Sequence, residues 1–134
     1  MRHRTIKRHF RRGKDSRNAL EKSLVKNVIE YEKVETTLAK AKFVRPEVEK
    51  LITISKVDSV ANRRLLLKKL SDKKIVDKLL DDLGPRFKSR NGGYTRIRRT
   101  GIRHGDVAEM AQISFVEGKK KEPVVKEKKV AEKK

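Results

Sequence analysis

The stretch from Val34 to Ser55, VETTLAKAKFVRPEVEKLITIS, leaves a folding chain few choices. A β-branched run at Val34, Thr36 and Thr37 passes straight into a pattern that sets Ala41, Val44, Val48, Leu51, Ile52 and Ser55 on one face, three and four residues apart. A short strand is thereby tied to an amphipathic helix, and each must bury one side. Thr37 is placed to cap the helix, its hydroxyl accepting from one of the first unpaired amides. Pro46 removes a backbone donor and disfavours helical angles at Arg45, so one kinked helix is expected and not two.

The flanking sequence supplies what such a unit can pack against. Asp15 or Ser16 can cap a helix to about Tyr31, with Leu20, Leu24, Val28 and Tyr31 as its stripe and Val25 and Ile29 widening it. After a turn at 56–58, Asp58 is expected to cap a helix from Ser59 to Leu70 with Val60, Ala61, Leu65, Leu66, Leu67 and Leu70 apolar. Asp72 opens another, burying Ile75, Val76, Leu79, Leu80 and Leu83. Gly84 and Pro85 should stop it, the glycine through a left-handed turn.

From Asn91 the period falls to two. NGG marks a turn, Thr95 and Ile97 alternate with Tyr94, Arg96 and Arg98 in a strand ending at Arg99, and a glycine-rich connection returns to a strand from Ala111 to Val116. Ala111, Ile113 and Phe115 should point inward. The order helix, strand, three helices, two strands predicts an α+β domain, a small three-stranded sheet with helices packed over one side. We place that domain at residues 15–117, between a basic arm, 1–14, and a lysine-rich tail, 118–134. The arm has only Ile6 and Phe10 as apolar anchors and is expected to be mobile alone; the tail is expected to be disordered when free.

Charge decides the class of partner. The formal net charge is +20, and 42% of residues are charged, against about 25% in ordinary domains. Residues 84–105 hold seven cations and no carboxylate, whereas residues 18–83 are close to balanced. Dense cation blocks flanking a nearly neutral core favour a polyanion, and nucleic acid comes first. Arginine dominates both blocks, as Arg2, Arg4, Arg8, Arg11 and Arg12 in the arm and as Arg86, Arg90, Arg96, Arg98, Arg99 and Arg103 later. Its planar fork suits phosphate oxygens, while the tail lysines suit diffuse attraction. Gly92 and Gly93 can let a backbone amide approach a phosphate, or simply form a turn. Tyr94 and His104 can stack on an unpaired base.

Other chemistry finds little support. There is no cysteine, which excludes disulfides, thiolate zinc sites and thiol nucleophiles. His3, His9 and His104 lack ligand spacing and sit among cations, so phosphate or ribose contact suits them better than metal. No apolar run approaches the roughly 20 residues of a membrane span. The N-terminus lacks the apolar segment of a secretion signal. No GxxxxGK[ST] loop and no catalytic pairing is present, so no enzyme, cofactor or small-molecule substrate is expected.

The N-terminal MRHR, then VETTLAKAKFVRPEVEKLI, then LGPRFKSRNGGYTRI and GDVAEMAQISFVE resemble the bacterial large-subunit ribosomal protein family numbered seventeen, over Met1 to about Glu117. The resemblance implies a cytoplasmic, ribosome-bound protein holding the large-subunit ribosomal RNA near the exit of the nascent-chain tunnel, among neighbouring ribosomal proteins. It places RNA contacts in the extension Met1 to Lys14, adding His3, Lys7, His9 and Lys14 to the arginines above, and in Arg86 to His104, adding Lys88 and Asn91. The chain departs from the family in carrying RRG where many members have LGR near residue 12, and in its long lysine tail. Two other readings are a free DNA- or RNA-compacting basic protein and an RNA-modifying enzyme. Against the first stands the lack of a helix-turn-helix or dimerising heptads, and against the second the lack of a nucleotide or methyl-donor pocket.

Overall fold

The computed structural model describes residues 10–118. Helix α1 (Lys14–Tyr31) starts from Gly13, so Asp15 lies in the first turn, favourable to the helix dipole, instead of capping it. It buries Val25, Val28 and Ile29. Tyr31 is exposed, because Glu32 turns left-handed at φ 60° and its N–H returns to Val28 O, ending the helix before Tyr31 meets the core. Strand β1 (Lys33–Thr37) follows, then α2 (Leu38–Ser55), which runs as one helix through Pro46 and buries every residue expected of it, together with Leu38. Thr37 is its N-cap, but its hydroxyl makes no capping bond.

Helix α3 (Val60–Leu70) is capped by Ser59, not Asp58: the Ser59 Oγ accepts from the Asn62 N–H at 3.1 Å. Asp58 pairs with Arg63 instead. Only Leu66 and Leu70 of its apolar set are buried, since α3 rests along one narrow strip on α1, α2 and α4. Helix α4 (Lys73–Lys78) passes into a π-helical segment, Leu79–Leu83, and a final turn, Gly84–Arg86. Ile75, Val76, Leu79, Leu80 and Leu83 are all buried.

The expected stop at Gly84 does not occur. Its angles are right-handed, φ −57° and ψ −56°, and its N–H donates to Leu79 O in the wide bond of the π segment. What Gly84 supplies is the absence of a side chain: a Cβ there would sit 2.3 Å from the Ser55 carbonyl oxygen at the end of α2. The two backbones touch at this point, a tertiary need that no local pattern announces.

Strands β2 (Thr95–Arg103) and β3 (Ala108–Phe115) form a hairpin, and β1 pairs on the other side of β3, all antiparallel in the order β1-β3-β2. Strand β2 outlasts its expected end at Arg99 because a bulge between Arg99 and Gly101 absorbs Thr100 and keeps the pairing. Ala111, Ile113 and Phe115 are buried beneath the helices, and Ile97 packs beside them. Phe87, Tyr94 and Phe115 close the core, with ring centroids 5.3 and 5.9 Å apart. Phe10, the first described residue, sets its ring edge-on to Phe43 of α2 at 5.2 Å.

Candidate nucleic-acid interface

Strand alternation divides β2 between two environments. Thr95 and Ile97 turn toward the helices, while Arg96 and Arg98 stand on the open face, opposite Ser114 and Gln112 of β3. Lys33 and Glu35 of β1 continue the same two rows. The open face is therefore mostly polar, Met110 being its apolar member, with its cations on an edge strand, where charge also discourages pairing with another chain. Glu35, across Gln112 from Arg98, accepts a hydrogen bond from the Thr100 hydroxyl at 2.7 Å through one carboxylate oxygen.

The arginines of the later block fall into two groups. Arg86 is structural: its side chain is 11% exposed and pairs with Asp82 at 2.7 Å and Glu32 at 2.9 Å, and it also donates to the Glu117 carbonyl. Burial pushes the Glu32 carboxyl up, but the hydrogen bond and charge of Arg86 outweigh it, leaving the group below its ordinary range. Arg90 braces the turn that precedes β2, donating from Nε to the carbonyls of Gly92 and Gly93 at 3.2 Å each and pairing with Glu117 at 3.6 Å. Gly92 and Gly93 have φ of 110° and 62°, which accounts for glycine there. Arg103 pairs with Asp106 at 2.5 Å and closes the hairpin end; that bond holds the Asp106 carboxyl down at about 2.

Arg98, Arg99, Lys88 and His104 are exposed and have no internal partner among the described residues, and Arg96 makes one weak bond, to the Val116 carbonyl at 3.3 Å. Asn91 is exposed as well. Tyr94 is buried, its hydroxyl 3.3 Å from the Thr53 hydroxyl and its ring under the Lys56 ammonium at 4.8 Å, so its face is not open to a base. In the arm, Arg11, Arg12 and Lys14 are exposed; Arg2, His3, Arg4, Lys7, Arg8 and His9 lie outside the described residues, as does the tail beyond Gly118.

Sequence reasoning missed Lys42. A cleft of about 300 Å³ lies between Arg99 and the first turn of α2, lined by Thr37, Leu38, Ala39, Lys42, Ala108 and Glu109. It exists because β1 pairs through Thr37 with Met110, setting the start of α2 against the hairpin, and that register is not written in either segment alone.

One prediction concerns Arg86. Replacement by methionine should cost about 2 kcal/mol at pH 7, because Glu32 and Asp82, both partly buried, lose the guanidinium they share, although Lys78 still faces Glu32 at 3.5 Å. The Glu32 contribution comes from a carboxyl whose folded value is lowered. It is complete above the unfolded value and vanishes as pH falls through the folded one. Urea titrations of both proteins should therefore converge as the solution is acidified. A constant gap would rule out the ion pairs as the cause.

Among the described residues no helix is long and apolar enough to cross a membrane. The family model described as Ribosomal protein L17 matches residues 20–116, which takes in every helix and strand above except the first turns of α1.

Proposed function

From the premise that the chain belongs to the ribosomal protein L17 family, a structural and non-enzymatic class of large-subunit proteins that bind ribosomal RNA, we propose that its β2–β3 hairpin and basic arm are the RNA-binding elements. Arg96, Arg98 and Arg99 carry the main contacts, with Lys88 before β2, His104 beyond its end and Arg11, Arg12 and Lys14 of the arm adding further cations. The proposed setting is the cytoplasmic ribosome, beside other large-subunit proteins and near the mouth of the nascent-chain tunnel.

The observation that carries this reading is the division of labour among the arginines. Arg86, Arg90 and Arg103 are held by carboxylates, whereas Arg98 and Arg99 on the same segment have none. An unpaired guanidinium meets phosphate without first breaking an internal ion pair, and its planar fork loses less entropy per hydrogen bond than a lysine ammonium does. Arg86 and Tyr94 serve this surface indirectly, by fixing the helix end and the turn from which β2 departs.

Competition provides the test. At a fixed salt concentration, folded large-subunit ribosomal RNA should displace duplex DNA of equal length from the protein. Equal affinity for the two would favour a general compacting protein and sink the proposal.

A further inference from the structure

Helix α3 carries cations that the hairpin reading does not use. Its sequence, VANRRLLLKKL, contains four cations and no carboxylate. Two of these are consumed internally, Arg63 by Asp58 and Asp77 and Lys69 by Glu47. Arg64 and Lys68 are exposed with no partner among the described residues, and so are Lys73 and Lys74 at the start of α4. Neighbouring carboxylates are taken: Asp72 by Lys26, and Glu47 by Lys69 and Lys50. Glu21 of α1 lines a groove with Leu65 and Lys68, and Asp81 is exposed in the π-helical segment that continues α4.

The arrangement of the exposed half of α3 narrows the partner. At roughly 100° per residue, Arg64 and Lys68 form the crest, flanked on one side by Val60 and Leu67 and on the other by Ala61 and Leu65. Val60, Leu65 and Leu67 are 68%, 42% and 36% exposed. A membrane-seeking helix has the reverse order, an apolar crest with cations at its margins. A protein interface likewise puts apolar groups at the centre and charge at the rim. Cations along the crest with aliphatic flanks match a sugar–phosphate backbone, the crest meeting phosphates and the flanks lying on ribose.

We propose that this face of α3, continued by Lys73 and Lys74, is a second binding site for RNA backbone, separate from the hairpin. Helix α2 touches the strands on one side and α3 on another, so α2 stands between the two surfaces. One domain can then hold two RNA segments at a fixed separation. The inference rests on the reading of the chain as a ribosomal RNA binder and adds a bridging role to it.

The test uses the full chain and transcribed large-subunit ribosomal RNA, with hydroxyl-radical footprinting and a salt titration of affinity. Two variants are compared with the parent protein: Arg64→Gln, Lys68→Gln, Lys73→Gln and Lys74→Gln together, and Arg96→Gln, Arg98→Gln and Arg99→Gln together. All seven side chains are exposed, so unchanged circular dichroism is expected. The α3 variant should lose one group of protected nucleotides, keep the group lost by the hairpin variant, and flatten the log–log salt slope by about 3 units. A parental footprint and slope in the α3 variant would overturn the second site while the hairpin losses left the first intact. Loss of the same nucleotides in both variants would overturn their separateness. A parent protein that protects nothing would remove the RNA-binding reading itself.

Discussion

Glutamine at Arg96, Arg98 and Arg99 together is expected to lower affinity for the large-subunit ribosomal RNA roughly 100-fold near 0.1 M salt and to flatten its log–log salt dependence by about 2 to 3 units. Each phosphate contact releases counterions worth about 0.7 to 0.9 of slope, and the variant removes three of the proposed contacts at once. The fold should not change, because Arg98 and Arg99 have no internal partner among the described residues and Arg96 has only the weak bond to Val116. Lysine at the same positions keeps the charge but loses the fork. It should restore most of the slope and less of the affinity. Filter binding over a range of salt concentrations reads both quantities, and an unchanged slope in the glutamine variant would remove these residues from the interface.

The second large effect is at Gly84. Alanine there should destabilise the domain by about 2 to 3 kcal/mol. Helix propensity alone predicts the opposite sign, a gain of about 1 kcal/mol, because the glycine sits at ordinary right-handed angles. The new Cβ would lie 2.3 Å from Ser55 O, 3.0 Å from Ser55 C and 3.2 Å from Leu79 O, all backbone atoms that cannot swing aside. Relieving that contact means separating α2 from the π segment, and the overpacking cost exceeds the propensity gain. Valine should leave little folded protein. Urea denaturation settles the sign: an alanine variant as stable as the parent would show that the helices can part cheaply.

These two predictions also mark where a sequence can be read and where it cannot. Ala41, Val44, Val48, Leu51 and Ile52 were legible, as were Ile75, Val76, Leu79, Leu80 and Leu83, because a period repeated over several turns depends only on near neighbours. Ala111, Ile113 and Phe115 were legible for the same reason, with a period of two. Gly84 was misread as a stop, since glycine before proline usually is one and the crowding comes from Ser55, far away in the chain. Arg86 looked like a member of a cation run, but its partners arrive from positions 32 and 82. Tyr94 looked available for stacking because its strand neighbours Arg96 and Arg98 face outward. It lies just before β2 begins, where the chain is still against Phe87 and α2. The apolar run in α3 promised a wide buried face, yet a helix on the outside of three others covers only one strip. Ser55 against Gly84, Glu32 against Arg86 and Thr53 against Tyr94 are all partners brought from far along the chain, which no local pattern announces.

The middle strand of the sheet, β3, is the last of its three to be synthesised. Until residues 108–115 have been made, β1 and β2 have no partner between them, and α2 lacks the β3 surface that it packs on. The sheet side of the domain can therefore close only when translation of the described region is almost finished. The hairpin arginines cannot reach their final spacing before then, so the RNA docking proposed for that surface would follow synthesis through residue 115.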